Sequence, residues 1–184
     1  MNVNQKISKA FSFSLKALDT YRKFMGIVVI WSLWALIFTS YEAIFIGKIL
    51  LSFVAFGLSF MPLLVDFNES HATNPLWTGH ARFHLVWQVT SLTATGLIVL
   101  ILLWIYPSLT NTLISVFLLY TWLISFFIAW LAMPLYDGKS NDINGVPPIN
   151  MSLFGKSFQV DQNFQGITGA TILSSYACIL IFCS

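Results

Sequence analysis

Residues 85–136 read LVWQVTSLTATGLIVLILLWIYPSLTNTLISVFLLYTWLISFFIAWLAMPLY, 52 residues without one Asp, Glu, Lys, Arg or His. A bilayer core of about 30 Å is crossed by roughly 20 mainly apolar helical residues, so this run is long enough for two crossings. Tyr106-Pro107-Ser108 is the natural break, because proline suits the first turn of a helix, where its missing N–H is not needed. Working outward, three further charge-free runs appear at 24–41, 49–65 and 162–184. The runs predict an all-α fold, a polytopic integral membrane helical bundle with five transmembrane helices at about 25–41, 44–64, 84–105, 109–132 and 166–184. The alternative is four spans, with 25–41 lying in the interface or fused into a kinked first helix. In that case Glu42 would lie within the membrane, whereas a turn near 41–48 makes it a solvated loop residue.

Composition agrees. Only 9 % of the 184 residues are charged, against about 25 % in an ordinary soluble domain. Hydrophobic residues make up 57 % and aromatics 16 %, with 17 Phe and seven Trp. Such a chain is neither disordered nor a disulfide scaffold, and a net charge of +2 argues against nucleic acid as a partner. Cys178 and Cys183 both fall in the last apolar run, where they read as small hydrophobes, and Gly166, Gly169, Ala170, Ser174 and Cys178 allow close helix approach.

Positive charge orients the chain. Lys6, Lys9, Lys16, Arg22 and Lys23 predict a cytoplasmic N-terminus, and five spans place Arg82, Lys139 and Lys156 on the same side, with Lys48 alone opposite. Residues 1–24 predict a basic amphipathic interfacial helix with Ile7, Phe11, Leu15 and Leu18 on one face and Lys9, Lys16 and Lys23 opposite. No small-x-small site follows the first apolar run, so this segment does not read as a signal peptide. The remaining residues, 25–184, form a single transmembrane bundle, and 134–165, rich in proline and glycine, is its one long irregular connection.

The polar residues concentrate in 66–84, DFNESHATNPLWTGHARFH. Of nineteen ionisable side chains counting histidine, six lie here: Asp66, Glu69, His71, His80, Arg82 and His84. Asn74-Pro75 reads as an N-cap followed by proline at the first helical position, so a helix is expected to begin there. His80 and His84 then stand four residues apart on one face, a stripe that continues through Gln88, Ser91 and Thr95 with Trp77 and Trp87 flanking it. Polar side chains within a bilayer face the bundle interior. The expectation is therefore a polar cavity at the membrane interface.

Three chemistries compete for that cavity. A divalent metal, the one cofactor suggested, takes His80 and His84 as ligands with His71, Glu69 or Asp66 completing the set. A general acid/base site uses His80, His84 or Glu69 as catalytic candidates. Its ligand-binding residues are Arg82, as an anion contact, with Trp77, Asn74 and Gln88. The third reading is an interfacial cap, in which tryptophans anchor, Arg82 snorkels and the histidines bond loop carbonyls.

The segment resembles the signature D-x-N-E-x-H-x-x-N-P-x-W-x-x-H-A-R-F-H of an uncharacterised family of small polytopic membrane proteins. The matching positions are Asp66, Asn68, Glu69, His71, Asn74, Pro75, Trp77, His80, Ala81, Arg82, Phe83 and His84. The resemblance covers about 47–135 and implies a four-helix unit to which residues before 42 are additions. It implies a site and no particular reaction. A looser, architectural analogy is to sterol-isomerase-like and DoxX-like four-helix membrane proteins.

Other motifs fail. Asp137-Gly138-Lys139-Ser140 carries the end of a phosphate-binding loop, but Met133 stands where its first glycine belongs. Asp137 and Asp142 lack calcium-loop spacing. Asn68-Glu69-Ser70 and Asn150-Met151-Ser152 match the glycosylation pattern but fall on the expected cytoplasmic side. The functional expectation is a small integral membrane protein whose histidine- and carboxylate-lined cavity binds, and in one version transforms, a lipid-like or amphipathic ligand. Its partners are the lipid bilayer and that small molecule. The alternative is a non-catalytic membrane subunit or assembly factor that uses 66–84 to dock a membrane protein partner or a second copy.

Overall fold

The computed structural model describes residues 9–142 and 145–183. Five helices carry the architecture: α1 (Lys9–Phe38), α2 (Ala43–Asp66), α3 (Gly79–Trp104), α4 (Leu109–Tyr136) and α5 (Gln162–Phe182). All five are long and apolar enough to cross a membrane. The chain breaks between α1 and α2, with exposed Glu42 at the N-cap position of α2, so the kinked 25–64 helix does not form. The Tyr106-Pro107-Ser108 break also forms, and the Ser108 hydroxyl caps α4 by accepting from the Asn111 amide at 3.0 Å.

Helix α2 is the hub and packs against α1, α3 and α5, while α4 packs on α3 and α5. Thus α2 to α5 close a four-helix ring, and α1 is laid along its outside. Neighbours in the ring run antiparallel. Ser59 meets Thr93, whose hydroxyl donates to the Ser59 carbonyl at 2.9 Å, while about two turns earlier in α2 Ser52 accepts from Trp104 Nε1 at 2.7 Å. Between α4 and α5, Tyr120 and Ser175 hydroxyls lie 2.7 Å apart, and Trp130 packs on Phe164 at 5.1 Å. The buried seam is Leu50, Leu51, Val54 and Ala55 of α2 with Val99 and Leu103 of α3, Leu119 and Leu123 of α4, and Leu173 and Ala177 of α5. Large apolar side chains also cover the outside, with Ile37, Phe117 and Leu131 each about 70 % exposed.

Two elements depart from expectation. Helix α1 runs unbroken from Lys9 to Phe38, so over the described residues the basic segment and the first apolar run are one helix. Nothing in 9–25 terminates a helix: there is no proline and no glycine, and the lysines and the arginine are good helix formers. The start of the expected interfacial helix, with Lys6 and Ile7, lies outside the described residues. Second, the 134–165 connection contains a hairpin, β1 (Ile149–Leu153) paired antiparallel with β2 (Lys156–Val160). Its two-residue turn is Phe154-Gly155, with φ of 49° and 76°. Positive φ at both central positions is the geometry that matches strand twist in a tight hairpin.

Candidate functional site

Residues 67–78 form a knotted polar cap between α2 and α3. Asn68 holds its centre: its Nδ2 donates to the Val65 carbonyl at 2.9 Å and to the Ser14 hydroxyl of α1 at 3.0 Å, and its Oδ1 accepts from the Ser70 amide at 2.8 Å. Asn74, also buried, donates from Nδ2 to the Ser70 carbonyl and accepts from the Leu76 amide, each at 3.0 Å. Asn74 thus closes a turn and does not start a helix. Helix α3 begins at Gly79, where Thr78 caps the Ala81 amide at 3.2 Å. Asparagine bonds local amides in turns as readily as at a helix start, and here the turn wins.

The residues expected to share one site separate. His71 Nδ1 lies 2.8 Å from the Ser70 hydroxyl and 3.5 Å from Asp66 Oδ1, and its ring meets Trp77 edge-on at 5.2 Å. Burial holds the His71 imidazole below its ordinary pKa, so it stays neutral at physiological pH. His80 and His84 pair with each other, their Nε2 atoms 3.0 Å apart, on the exposed side of α3. Gln88 is exposed as well. The buried side of α3 is Val89, Leu92, Gly96, Val99 and Leu103, so the start of the histidine stripe faces away from the bundle. The reason is packing: Gly96 lets α3 close onto Ser59 and Ala55 of α2, and that contact decides which face turns in. Arg82 is half-buried in the first turn of α3, and Glu69 is half-buried in the cap. Among the described residues no three His, Cys, Asp or Glu side chains form a group that could hold a metal ion. The five expected ligands therefore do not assemble as one set.

Asp66, besides facing His71, borders a second enclosure. It lines a cavity of about 160 Å³ between α1, α2 and α5, with Tyr21 and Arg22 of α1, Leu58 and Met61 of α2, and Gln162 and Ile167 of α5. Arg22 also lines an apolar groove of about 430 Å³ that runs between α1 and α5 past Met25, Val29, Leu33, Ile172 and Tyr176. A guanidinium thus stands where two apolar recesses meet. One of its amino groups is held by Gln162 Oε1. Gln162, itself buried, is fixed in turn by donating to the Pro147 carbonyl at 2.6 Å. Among the described residues Arg22 Nε is buried without a hydrogen-bond partner, as is the Tyr176 hydroxyl further along the groove. Arg22 as a whole is half-buried, and a guanidinium keeps its charge and presents several fixed donors, so what it can do here is hold an anion against apolar walls.

The start of α5 is secured independently. Asp161 caps it by accepting from the Phe164 amide at 2.9 Å, and its other oxygen accepts from Ser140 and from Asn141 Nδ2. Burial alone would raise the pKa of this carboxyl, but those hydrogen bonds outweigh it and hold the group below its ordinary value.

Arg22, Tyr21 and Gln162 were not singled out by the sequence reading. The sequence places Arg22 among the orienting charges, because the charge-free run begins only at residue 24. Read as one helix, the first candidate crossing is Ser12–Phe38, and Arg22 lies inside it. An ionisable residue inside an apolar helix is the signal that would have found it.

No family model matches this chain, and neither a curated protein nor a solved structure is similar to it.

Proposed function

We propose that the protein is an integral membrane protein of five spans that binds an amphipathic, lipid-like ligand, its anionic head on Arg22 and its apolar tail in the α1/α5 groove. The observation that carries this reading is the Arg22 guanidinium at the junction of two apolar recesses, with Nε buried and unpartnered among the described residues. Taking a charge even partly out of water is unfavourable unless an opposite charge or hydrogen bonds compensate. Gln162 satisfies one amino group, and an anionic ligand supplies the rest. The N-terminus is assigned to the cytoplasm. Lys139 and Lys156 lie in the connection at the same end of the bundle as the start of α1, and Lys48 lies near the other end.

The test is mass spectrometry of lipids and small amphiphiles carried through purification. Arg22→Ala is expected to lower the retained anionic amphiphile about tenfold or more, the scale of losing a charge-assisted hydrogen bond. Lys23→Ala is expected to leave it unchanged, since Lys23 is exposed and paired with Asp19 at 2.7 Å. Equal retention in wild type and Arg22→Ala contradicts the assignment.

A second reading, a non-catalytic subunit that docks a partner through 66–84, is favoured by one observation. Leu76, Phe83 and Trp87 are each about 60–70 % exposed around the His80/His84 pair. Co-purification of a stable partner, lost on Trp87→Ala, would support it.

A further inference from the structure

The hairpin between α4 and α5 has two chemically distinct faces. Side chains alternate along a strand, and the register pairs Ile149 with Val160, Met151 with Phe158 and Leu153 with Lys156 on one face, which is apolar except for Lys156. On the other it pairs Asn150 with Gln159 and Ser152 with Ser157. One face is wholly polar. It is turned toward the rest of the connection, since Asn150 and Gln159 line a recess with Lys139, Asn141, Pro147 and Pro148. The apolar face is turned away from that recess, and Met151 and Phe158 are each about 40 % exposed. At the tip, Phe154 is 96 % exposed beside Lys156, which is the one ionisable side chain in 149–160.

An isolated two-stranded hairpin is marginal in water and needs its apolar face covered. The helix ends that hold this one show what lies beside it. Leu135 and Tyr136 at the end of α4 are 88 % and 58 % exposed, and Phe164 at the start of α5 is 37 % exposed, so the apolar outer surface of the bundle continues to the base of the hairpin. Phenylalanine and tyrosine next to lysine, at the end of a membrane-crossing helix, is the composition that settles at the level of lipid head groups.

We infer that the 149–160 hairpin lies on the bilayer surface, with Met151, Phe158 and Phe154 inserted among the lipid head groups and Lys156 on lipid phosphates. The inference rests on the membrane-spanning reading above and adds a contact with the bilayer surface outside the spans. Burial of two aromatic side chains and one methionine anchors the connection, and Lys156 strengthens the anchor on anionic lipid. Through Pro147 and Gln162 the anchored segment is joined to Arg22, so the position of the hairpin bears on the mouth of the ligand cavity.

The experiment uses the full chain with Cys178 and Cys183 replaced by serine, reconstituted in phosphatidylcholine bilayers with or without phosphatidylglycerol. A single spin label is placed at 151, 152, 154 or 124, and its accessibility to oxygen and to a water-soluble nickel complex is compared. Labels at 151 and 154 are expected to be several-fold less accessible to the nickel complex than the label at 152, with the contrast larger when phosphatidylglycerol is present. Ile124, on the exposed outer side of α4, reports the parent reading. A label buried at 124 together with equal nickel accessibility at 151, 152 and 154 overturns the hairpin inference alone. A label at 124 open to the nickel complex overturns the membrane-spanning reading and the hairpin inference with it.

Discussion

Single side chains decide how closely the helices approach and how the polar cap responds to pH. A Cβ on Gly96 would overlap the Ser59 hydroxyl and come within 2.9 Å of the Ala55 carbonyl oxygen, a backbone atom that cannot turn aside. Gly96→Ala is therefore expected to destabilise the bundle by about 1–3 kcal/mol, the usual cost of overpacking. Gly26→Ala is the control: its Cβ meets nothing within 4 Å, and the change is expected to stabilise α1 by up to about 1 kcal/mol. Thermal unfolding of both variants in detergent checks the pair, and equal effects would mean that α2 and α3 are not in this contact. His71 sets a pH dependence whose sign follows from burial. Its folded-state pKa is below the ordinary 6.5, so as pH falls through that value the unfolded chain takes up the proton first. The His71 contribution to stability is then full above about pH 6.5 and declines on acidification, with a slope of at most about 1.4 kcal/mol per pH unit. His71→Gln is expected to remove the part of the decline that sets in below about pH 6.5. An identical slope in wild type and variant would remove His71 from the account.

Among the elements, the ones most legible in the sequence are those whose ends are marked by charge or proline. The break at Tyr106-Pro107-Ser108 starts α4 at the expected residue, and Glu42 and Asp66 bracket an α2 that runs 43–66 against the expected 44–64. The divided N-terminal segment was misread for the converse reason. Charge changes across residues 23–24, but no residue there breaks a helix, and helix continuity follows backbone propensity and not polarity. The hairpin hid behind Pro147, Pro148 and Gly155, although I-N-M-S and S-F-Q-V alternate with period two on either side of the turn. The candidate site was half legible. Asp66 and the polar cap were found, but the histidine stripe was aimed inward on polarity alone, and Gly96 turned α3 the other way. Helix α1 is the element that encloses the cavity, and its seat is specific. The Tyr21 ring covers Gly57 and stacks on Phe53 at 4.7 Å, and its hydroxyl donates to the Phe53 carbonyl at 2.9 Å. Gly57→Leu is expected to lift α1 while leaving the α2–α5 ring intact. Amide exchange in α1 should quicken about thirtyfold, corresponding to about 2 kcal/mol, with α3 and α4 unchanged. Uniform loss of protection in all five helices would show that α1 is integral to the ring.

For the whole molecule, the odd number of helices sorts its chemistry to one end. The start of α1, the 67–78 cap and the 137–161 connection with its hairpin share one end of the bundle, opposite the short 39–42 and 105–108 turns. Arg22, Asp66, Gln162 and the histidines all lie toward that end, while the interior seam between the ends is aliphatic. An amphiphile entering there meets charge first and hydrocarbon beyond it, which is the order its own structure requires. The central claim is thus a five-span bundle with its polar machinery gathered on one membrane face. Labelling of single cysteines at 45 and 140, in a background lacking Cys178 and Cys183 and in sealed vesicles of known orientation, tests it most directly. The account predicts that a membrane-impermeant reagent reaches 45 from one side only and 140 from the other. Labelling of both positions from the same side would contradict it.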